Sequence, residues 1–273
     1  MNLKFSTVIC LLSIVLTGFF LFDSPHQLVG LADAIDKDNR EIIDVNQLEQ
    51  NDVIYLGENH DNQQHHARQL EIVRQLQQDA NERQLAIALE MFQRPFQPIL
   101  NRYLAQEIGE AELRKQTEYD TRWGFDWEYY APILRYAKQQ QIPLIALNTP
   151  EEITNKVAIN GINSLNGHDF RYIPPLKDIE LENDRYKQDL KEIYLQHVEN
   201  GQGNSKDFDN FFAAQVLWDE TMAEAIALYY QNHPKSQIVV LVGKAHAIDD
   251  YAIPNRVKRR IKDKSFQDVV YLL

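Results

Sequence analysis

The sequence predicts an α/β fold: a mostly parallel sheet with flanking helices and a helical cap subdomain over the carboxyl edge of the strands. Two observations predict it. Five short apolar runs are continuous rather than alternating, as in parallel strands covered on both faces. Two of these runs lead into the same pattern, Gly57-Glu58-Asn59-His60 and Gly243-Lys244-Ala245-His246. In one parallel sheet both turns open at the same edge, where ligands of open α/β sheets bind. The pair is therefore a site hypothesis as well as a fold signal.

The runs are Val53–Leu56, Leu85–Leu89, Pro143–Leu147, Ile238–Val242 and Asp268–Leu272. Helical patterns separate them. Over residues 64–78, Ala67, Leu70, Val73 and Leu76 recur at helical spacing. Thr149-Pro150-Glu151-Glu152 reads as a helix start, with Thr149 as cap, Pro150 in the first position and Glu152 closing a capping box. Ile253-Pro254 opens the last helix in a similar way. The first two strands are one βαβ unit apart. The later intervals are longer, and the excess is helical. Residues 176–198 are charged and helix-prone. After a loop at 200–204, Phe211, Gln215, Trp218, Met222, Ala225 and Tyr229 form a stripe expected to bury against the core. Two helical insertions, at 95–140 and 155–230, supply the cap.

Of 273 residues, 44% are hydrophobic and 25% charged, which suits a globular chain with a sizeable core. The net charge of −12 argues against sequence-independent nucleic-acid binding, which needs Lys and Arg over phosphates. Six of the nine residues from Arg256 to Lys264 are basic. A solvated helix face is the expectation for such a run, and a contact for an anionic ligand or membrane surface is the sharper alternative.

Residues 1–34 read as a signal peptide or an N-terminal membrane anchor. Lys4 precedes the strongly apolar stretch Phe5–Phe22, and Ala32-Asp33-Ala34 offers a small-residue cleavage site. The chain is expected to be exported, periplasmic or membrane-anchored facing outside the cytoplasm, with membrane contact through this segment if it is uncleaved. Cys10 is the only cysteine and lacks the preceding small residues of a lipoprotein signal. Once the segment is removed, disulfides, zinc–thiolate sites and cysteine nucleophiles are excluded. Residues 35–273 are expected to form a single domain.

The predicted strand ends carry the chemistry. They are Glu58 and His60, Glu90, Asn148, and His246 after Gly243. Imidazole and carboxylate groups ligate borderline divalent metals or act as general acid and base. Glu90 follows an apolar run, where a charge is costly to bury unless paired or liganded. His65 and His66, on the next helix, face either the crevice or solvent. The segment with Tyr119, Trp123, Phe125, Trp127, Tyr129 and Tyr130 is either a helix-packing cluster or a wall for a flat apolar ligand. Tyrosine is also an axial ligand of haem iron. No Cys-x-x-Cys-His motif exists, so covalent c-type haem is excluded.

Several stretches resemble the ChaN-like haem-binding uptake family of the wider Tiki/TraB/erythromycin-esterase-like superfamily. They are Tyr55 to His60, Ala88 to Phe92, Ile145 to Pro150, Ala214 to Ala223, and Val242 to His246 followed by Ile253, Pro254 and Arg256. The resemblance implies an α/β core with a helical cap, export, and haem bound by a homodimer. In such relatives a tyrosine ligates iron and a partner-chain histidine contacts the propionates. Tyr119, Tyr129 and Tyr130 are the tyrosine candidates here, with His60 and His246 as further haem contacts. Relatives are often lipoproteins, and the missing lipobox departs from that pattern. The superfamily also includes metal-dependent proteases with twin Gly-x-x-His motifs. The alternative is therefore a divalent-metal-dependent hydrolase, a Tiki-like protease or an esterase. In it His60, His246 and Glu90 hold Mn, Co or Zn, and the catalytic carboxylates are Glu58, as base, and Glu90.

Overall fold

The computed structural model describes residues 48–79, 83–199, 205–248 and 250–273. The expectations for residues 1–34 and for the loop at 200–204 lie outside these described residues. All described residues fall in one compact unit, Arg40–Leu273.

Each apolar run is a strand. β1 (Val53–Glu58), β2 (Gln84–Gln93), β3 (Leu144–Asn148), β4 (Ser236–Gly243) and β5 (Asp268–Leu272) form one parallel sheet in the order β3-β2-β4-β1-β5. β2 outruns its predicted end at Leu89. A bulge between Leu89 and Gln93 carries it on until Gln93 pairs with Asn148. The runs are continuous because both faces are covered. Val53, Tyr55, Ala86, Ala88, Ile145, Leu147, Val240 and Val242 pack one face against later helices. Ile54, Leu56, Ile87, Leu89, Val239 and Leu241 alternate with them and are equally buried.

Helix α1 (Gln63–Asp79) follows β1 and touches it. Its buried stripe is His66, Gln69, Ile72, Val73 and Leu76, while Ala67 is exposed and Leu70 half-buried. The predicted apolar stripe is thus rotated, because the helix turns two polar side chains inward toward Glu58. Between β2 and β3 lie α2 (Gln97–Leu104), α3 (Glu110–Gln116), α4 (Tyr119–Arg122) and α5 (Trp127–Gln140). Between β3 and β4 lie α6 (Glu151–Asn160), α7 (Asp184–Glu199) and α8 (Phe208–Asn232), and α9 (Ile253–Arg260) precedes β5.

Three local expectations are corrected. Thr149 does not cap α6. The cap residue is Pro150, the buried Thr149 hydroxyl donates to the Leu217 carbonyl at 3.4 Å, and Glu152 pairs with Arg122 at 2.6 Å. Residues 176–198 are not one helix. A 3-10 turn at Leu176–Asp178 is followed by an extended stretch whose Glu180 amide donates to Glu220 at 3.0 Å. The helix starts only at Asp184, where Asn183 accepts from the Tyr186 amide at 2.9 Å. The third correction is α8, which is buried nearly all round rather than along one stripe. Its 25 residues span about 37 Å, against about 26 Å for the eight of β4. The C-terminal half, with Met222, Ala223 and Ile226, covers the sheet face. The N-terminal half packs Ala213, Ala214 and Leu217 on Val157 and Ala158 of α6. That overhang reaches past the carboxyl edge.

The basic run is not simply a solvated face. Arg256, Arg259 and Arg260 of α9 converge on Glu220 of α8, which is fully buried. Burial pushes the Glu220 carboxyl above its ordinary value, against the pull of Arg256 and Arg260. Lys258 pairs with Asp268 at 3.2 Å. Among the described residues, no helix is long and apolar enough to cross a membrane.

Breaking the buried cluster should be costly. Glu220→Ala leaves three guanidiniums facing each other, with an expected loss of about 3–5 kcal/mol in urea unfolding. Arg114→Ala, which breaks a half-exposed pair with Asp120, should cost under about 1 kcal/mol.

Candidate functional site

Strand order explains how distant residues meet. β4 lies between β1 and β2, with Glu58 opposite Gly243 and Leu89 opposite Leu241. Both histidine turns therefore leave the sheet close to Glu90, which lies at the bulge in β2.

Glu58 is buried and accepts three hydrogen bonds: from Tyr130 Oη at 2.6 Å, Gln69 Nε2 at 2.6 Å and His60 Nδ1 at 2.9 Å. His66 Nδ1 lies 3.5 Å away. A carboxylate only accepts, so His60 carries a proton on Nδ1 and turns Nε2 outward. Burial pushes the Glu58 carboxyl up. The bond and charge of His60, with His66 and Tyr130, outweigh it and hold the carboxyl below its ordinary value. Burial pulls His60 down, and the charge of Glu90 and the bond to Glu58 raise it overall.

His246 repeats the arrangement. Its Nδ1 donates to Asp219 Oδ1 at 2.6 Å, and Asp219 Oδ2 accepts from Tyr186 Oη at 2.7 Å. Its Nε2 is 3.5 Å from Glu90 Oε1. Burial lowers the His246 pKa, but Glu90 and Asp219 together push it up to about 9. Glu90 Oε2 accepts from the Gly243 amide at 2.7 Å. A Cβ on Gly243 would lie 2.8 Å from His60 Nε2 and 3.7 Å from Glu90 Oε2, so glycine alone leaves room for the imidazole over the strand end. The crevice thus has Tyr130–Glu58–His60 on one side, Tyr186–Asp219–His246 on the other, and Glu90 between.

Aromatic rings wall it. Trp123 and Phe125 sit 4.7 and 5.0 Å from the His60 ring, and Trp218 sits 6.2 Å from His246. Of the candidate tyrosines, Tyr119 and Tyr130 are buried. The Tyr119 hydroxyl has no hydrogen-bond partner among the described residues. Burial pushes both hydroxyls up, Tyr130 well above its ordinary value with Glu58 adding to the rise. Tyr129 is half-buried and stacks on His66 at 5.3 Å.

The structure therefore brings Glu58, His60, Glu90 and His246 together. Asn148 turns into its own loop, where its Oδ1 accepts from the Thr149 amide at 2.8 Å. Of the following pair, His66 Nε2 bonds the His60 carbonyl at 3.0 Å. The His65 ring orders the loop through the Asn59 amide at 2.9 Å. Sequence reasoning missed Gln69, Asp219 and Tyr186. The signal for Asp219 was an Asp219-Glu220 pair inside an otherwise apolar helix, where neither charge survives burial unpaired. Among the described residues, no group of three or more His, Cys, Asp or Glu side chains is arranged to hold a metal ion. A surface cavity of about 560 Å³ beside α3 and α4 is lined by Glu110, Arg114, Glu118, Asp120 and Trp127 and shares no residue with the crevice. Within it Arg114 pairs with Asp120 at 2.6 Å.

A parallel sheet whose histidines and acids converge at the carboxyl edge beneath helical insertions defines a capped α/β class. Within it, the chain belongs to the family described as haem-binding uptake, Tiki superfamily, ChaN, whose model matches residues 45–257. Its fold is similar to that of ChaN of Campylobacter jejuni, in a structure described as showing cofacial heme binding. The two share 21% identity and a TM-score of 0.64, over 84% of this chain and 83% of that one. A mutant of the erythromycin esterase EreC in its open conformation matches at 14% identity and a TM-score of 0.50, over 84% and 71%. The chain is also 30% identical over 154 residues to Protein RETICULATA-RELATED 5, chloroplastic, of Arabidopsis thaliana. The match covers 54% of this chain but only 20% of the plant protein's length.

Two outcomes test this geometry. Gly243→Ala drives a methyl against the His60 ring, and the expected cost is about 1–3 kcal/mol with a shifted His60 resonance. His246 should titrate near 9 by NMR and fall in Glu90→Gln. The folded state holds this proton more tightly than the unfolded chain. Its stabilising contribution is therefore complete below 6.5 and is lost as pH rises through about 9.

Proposed function

We propose that this protein is an exported haem binder serving iron or haem uptake, with haem held between aromatic cap residues and the strand-end His and Glu groups. One observation carries the reading. In a haem-binding family, two imidazoles are each anchored through Nδ1 and present Nε2 to a crevice walled by Trp123, Phe125 and Trp218. The donor set suits the ligand. Flat aromatic walls fit a porphyrin, and imidazole donors fit its propionates.

Tyr129 is the iron ligand of this reading, because it alone of the three tyrosines is partly exposed. An axial phenolate must lose its proton, and burial opposes that at Tyr119 and Tyr130. Tyr130 is moreover committed to Glu58. His60 and His246 then take the propionates. The cofacial arrangement described for Campylobacter ChaN supports a homodimer that brings two haems face to face. The apolar N-terminal stretch supports export, with the first 34 residues as signal or anchor and residues 35–273 as the binding domain.

The divalent-metal hydrolase, with Mn, Co or Zn on His60, His246 and Glu90, has weaker support. Its base, Glu58, has both oxygens engaged by Tyr130, Gln69 and His60. The family match supplies haem rather than a metal ion.

Titration of the purified protein with haemin, followed by absorbance, should saturate with a tyrosinate-type spectrum. Tyr129→Phe should abolish that spectrum and weaken binding at least about tenfold, since the axial ligand is a lever the protein itself supplies. Tyr130→Phe should keep it. Absence of saturable binding, together with stoichiometric metal lost in His60→Ala, would overturn the reading in favour of the hydrolase.

A further inference from the structure

We propose that Asp219, with Tyr186 behind it, is the positioning residue of His246, fixing both the direction of the ring and which nitrogen faces the ligand. Asp219 is fully buried and spends one oxygen on His246 Nδ1 at 2.6 Å and the other on Tyr186 Oη at 2.7 Å. An ionised carboxylate offers acceptors only, so it keeps a proton on Nδ1 and aims Nε2 at the crevice, where the charged ring donates from Nε2 as well. Without Asp219, the nearest carboxylate is Glu90, 3.5 Å from Nε2. The neutral ring would then keep its proton on Nε2, turned toward Glu90, with nothing to hold Nδ1.

Tyr186 cannot drift, because it is held on two sides. Its ring stacks on Tyr251 at 4.5 Å and 14°, and the Arg256 guanidinium lies 5.8 Å over it. Arg256 is itself bound to the buried Glu220. The aspartate that aims His246 is therefore braced from three elements, α7, α8 and α9. His60 has the equivalent brace in Glu58, Gln69 and Tyr130.

The affinity arm of the test rests on the haem-binding reading, and the spectroscopic arm does not. Long-range nitrogen–proton NMR of histidine-labelled protein, recorded above the titration of the ring, reports its tautomer. The wild type should show His246 with its proton on Nδ1. Asp219→Ala should move it to Nε2 and weaken haemin binding by about tenfold, the worth of one hydrogen bond to a charged group. Tyr186→Phe should keep the Nδ1 proton and lose less affinity than Asp219→Ala. A wild-type spectrum with the proton on Nε2 overturns the proposal even where Asp219→Ala does not fold. So does an Asp219→Ala protein whose tautomer is unchanged. If the tautomer behaves as expected but the wild type binds no haemin, the haem reading fails and the positioning role stands.

Discussion

Four carboxylates buried in and beside the carboxyl edge set the plan of this protein. Glu58, Glu90, Asp219 and Glu220 are all nearly or fully inaccessible. A buried carboxylate without donors costs several kcal/mol, so each must be met by hydrogen bonds or cations. Those donors come from different helices. Glu58 recruits α1 and α5, Asp219 recruits α7 and the turn after β4, and Glu220 recruits α9. The apolar sheet faces drive collapse. The acids decide which helix lies where along the edge and in which rotation, since a one-residue turn of α1 would take Gln69 away from Glu58.

The same requirement prepares the chemistry. Two imidazoles are held by carboxylates that are themselves held, so neither ring has to be ordered when a ligand arrives. Glu90 sits between the halves: its two oxygens meet the Gly243 amide and His246 of one motif, and its charge raises the pKa of His60 in the other. The helical insertions then serve two purposes. They bring Tyr130 and Tyr186 to the acids, and they place Trp123, Phe125 and Trp218 over the rings. A crevice of this build suits a flat ligand with an apolar body and anionic groups better than a small hydrated ion.

The strands and the meeting of the two Gly-x-x-His motifs were legible in the sequence, because continuous apolar runs and repeated spacing are local signals. Glu90 was legible for the same reason, as a charge at the end of such a run. Gln69, Tyr186 and Asp219 were not, because their roles depend on which residues face them across the fold. The rotation of α1 shows this most plainly: counting apolar residues favours Ala67 and Leu70, and the need to satisfy Glu58 overrides it. The inward-facing arginines of α9 are a further case. A charge run has a solvated face as its ordinary outcome, and only the position of Glu220 reverses it. Thr149 likewise carries a sound capping signal that loses to its burial against α8.

Haem should bind at the crevice with its iron on a tyrosine and its propionates toward His60 and His246. Iron anomalous diffraction from crystals of the haemin-loaded protein tests it most directly. One iron peak per chain is expected at the carboxyl edge, within bonding distance of a tyrosine oxygen, with the porphyrin between the aromatic walls. A peak in the charged cavity beside α3 and α4, or haem bound with both histidines out of reach, would contradict it.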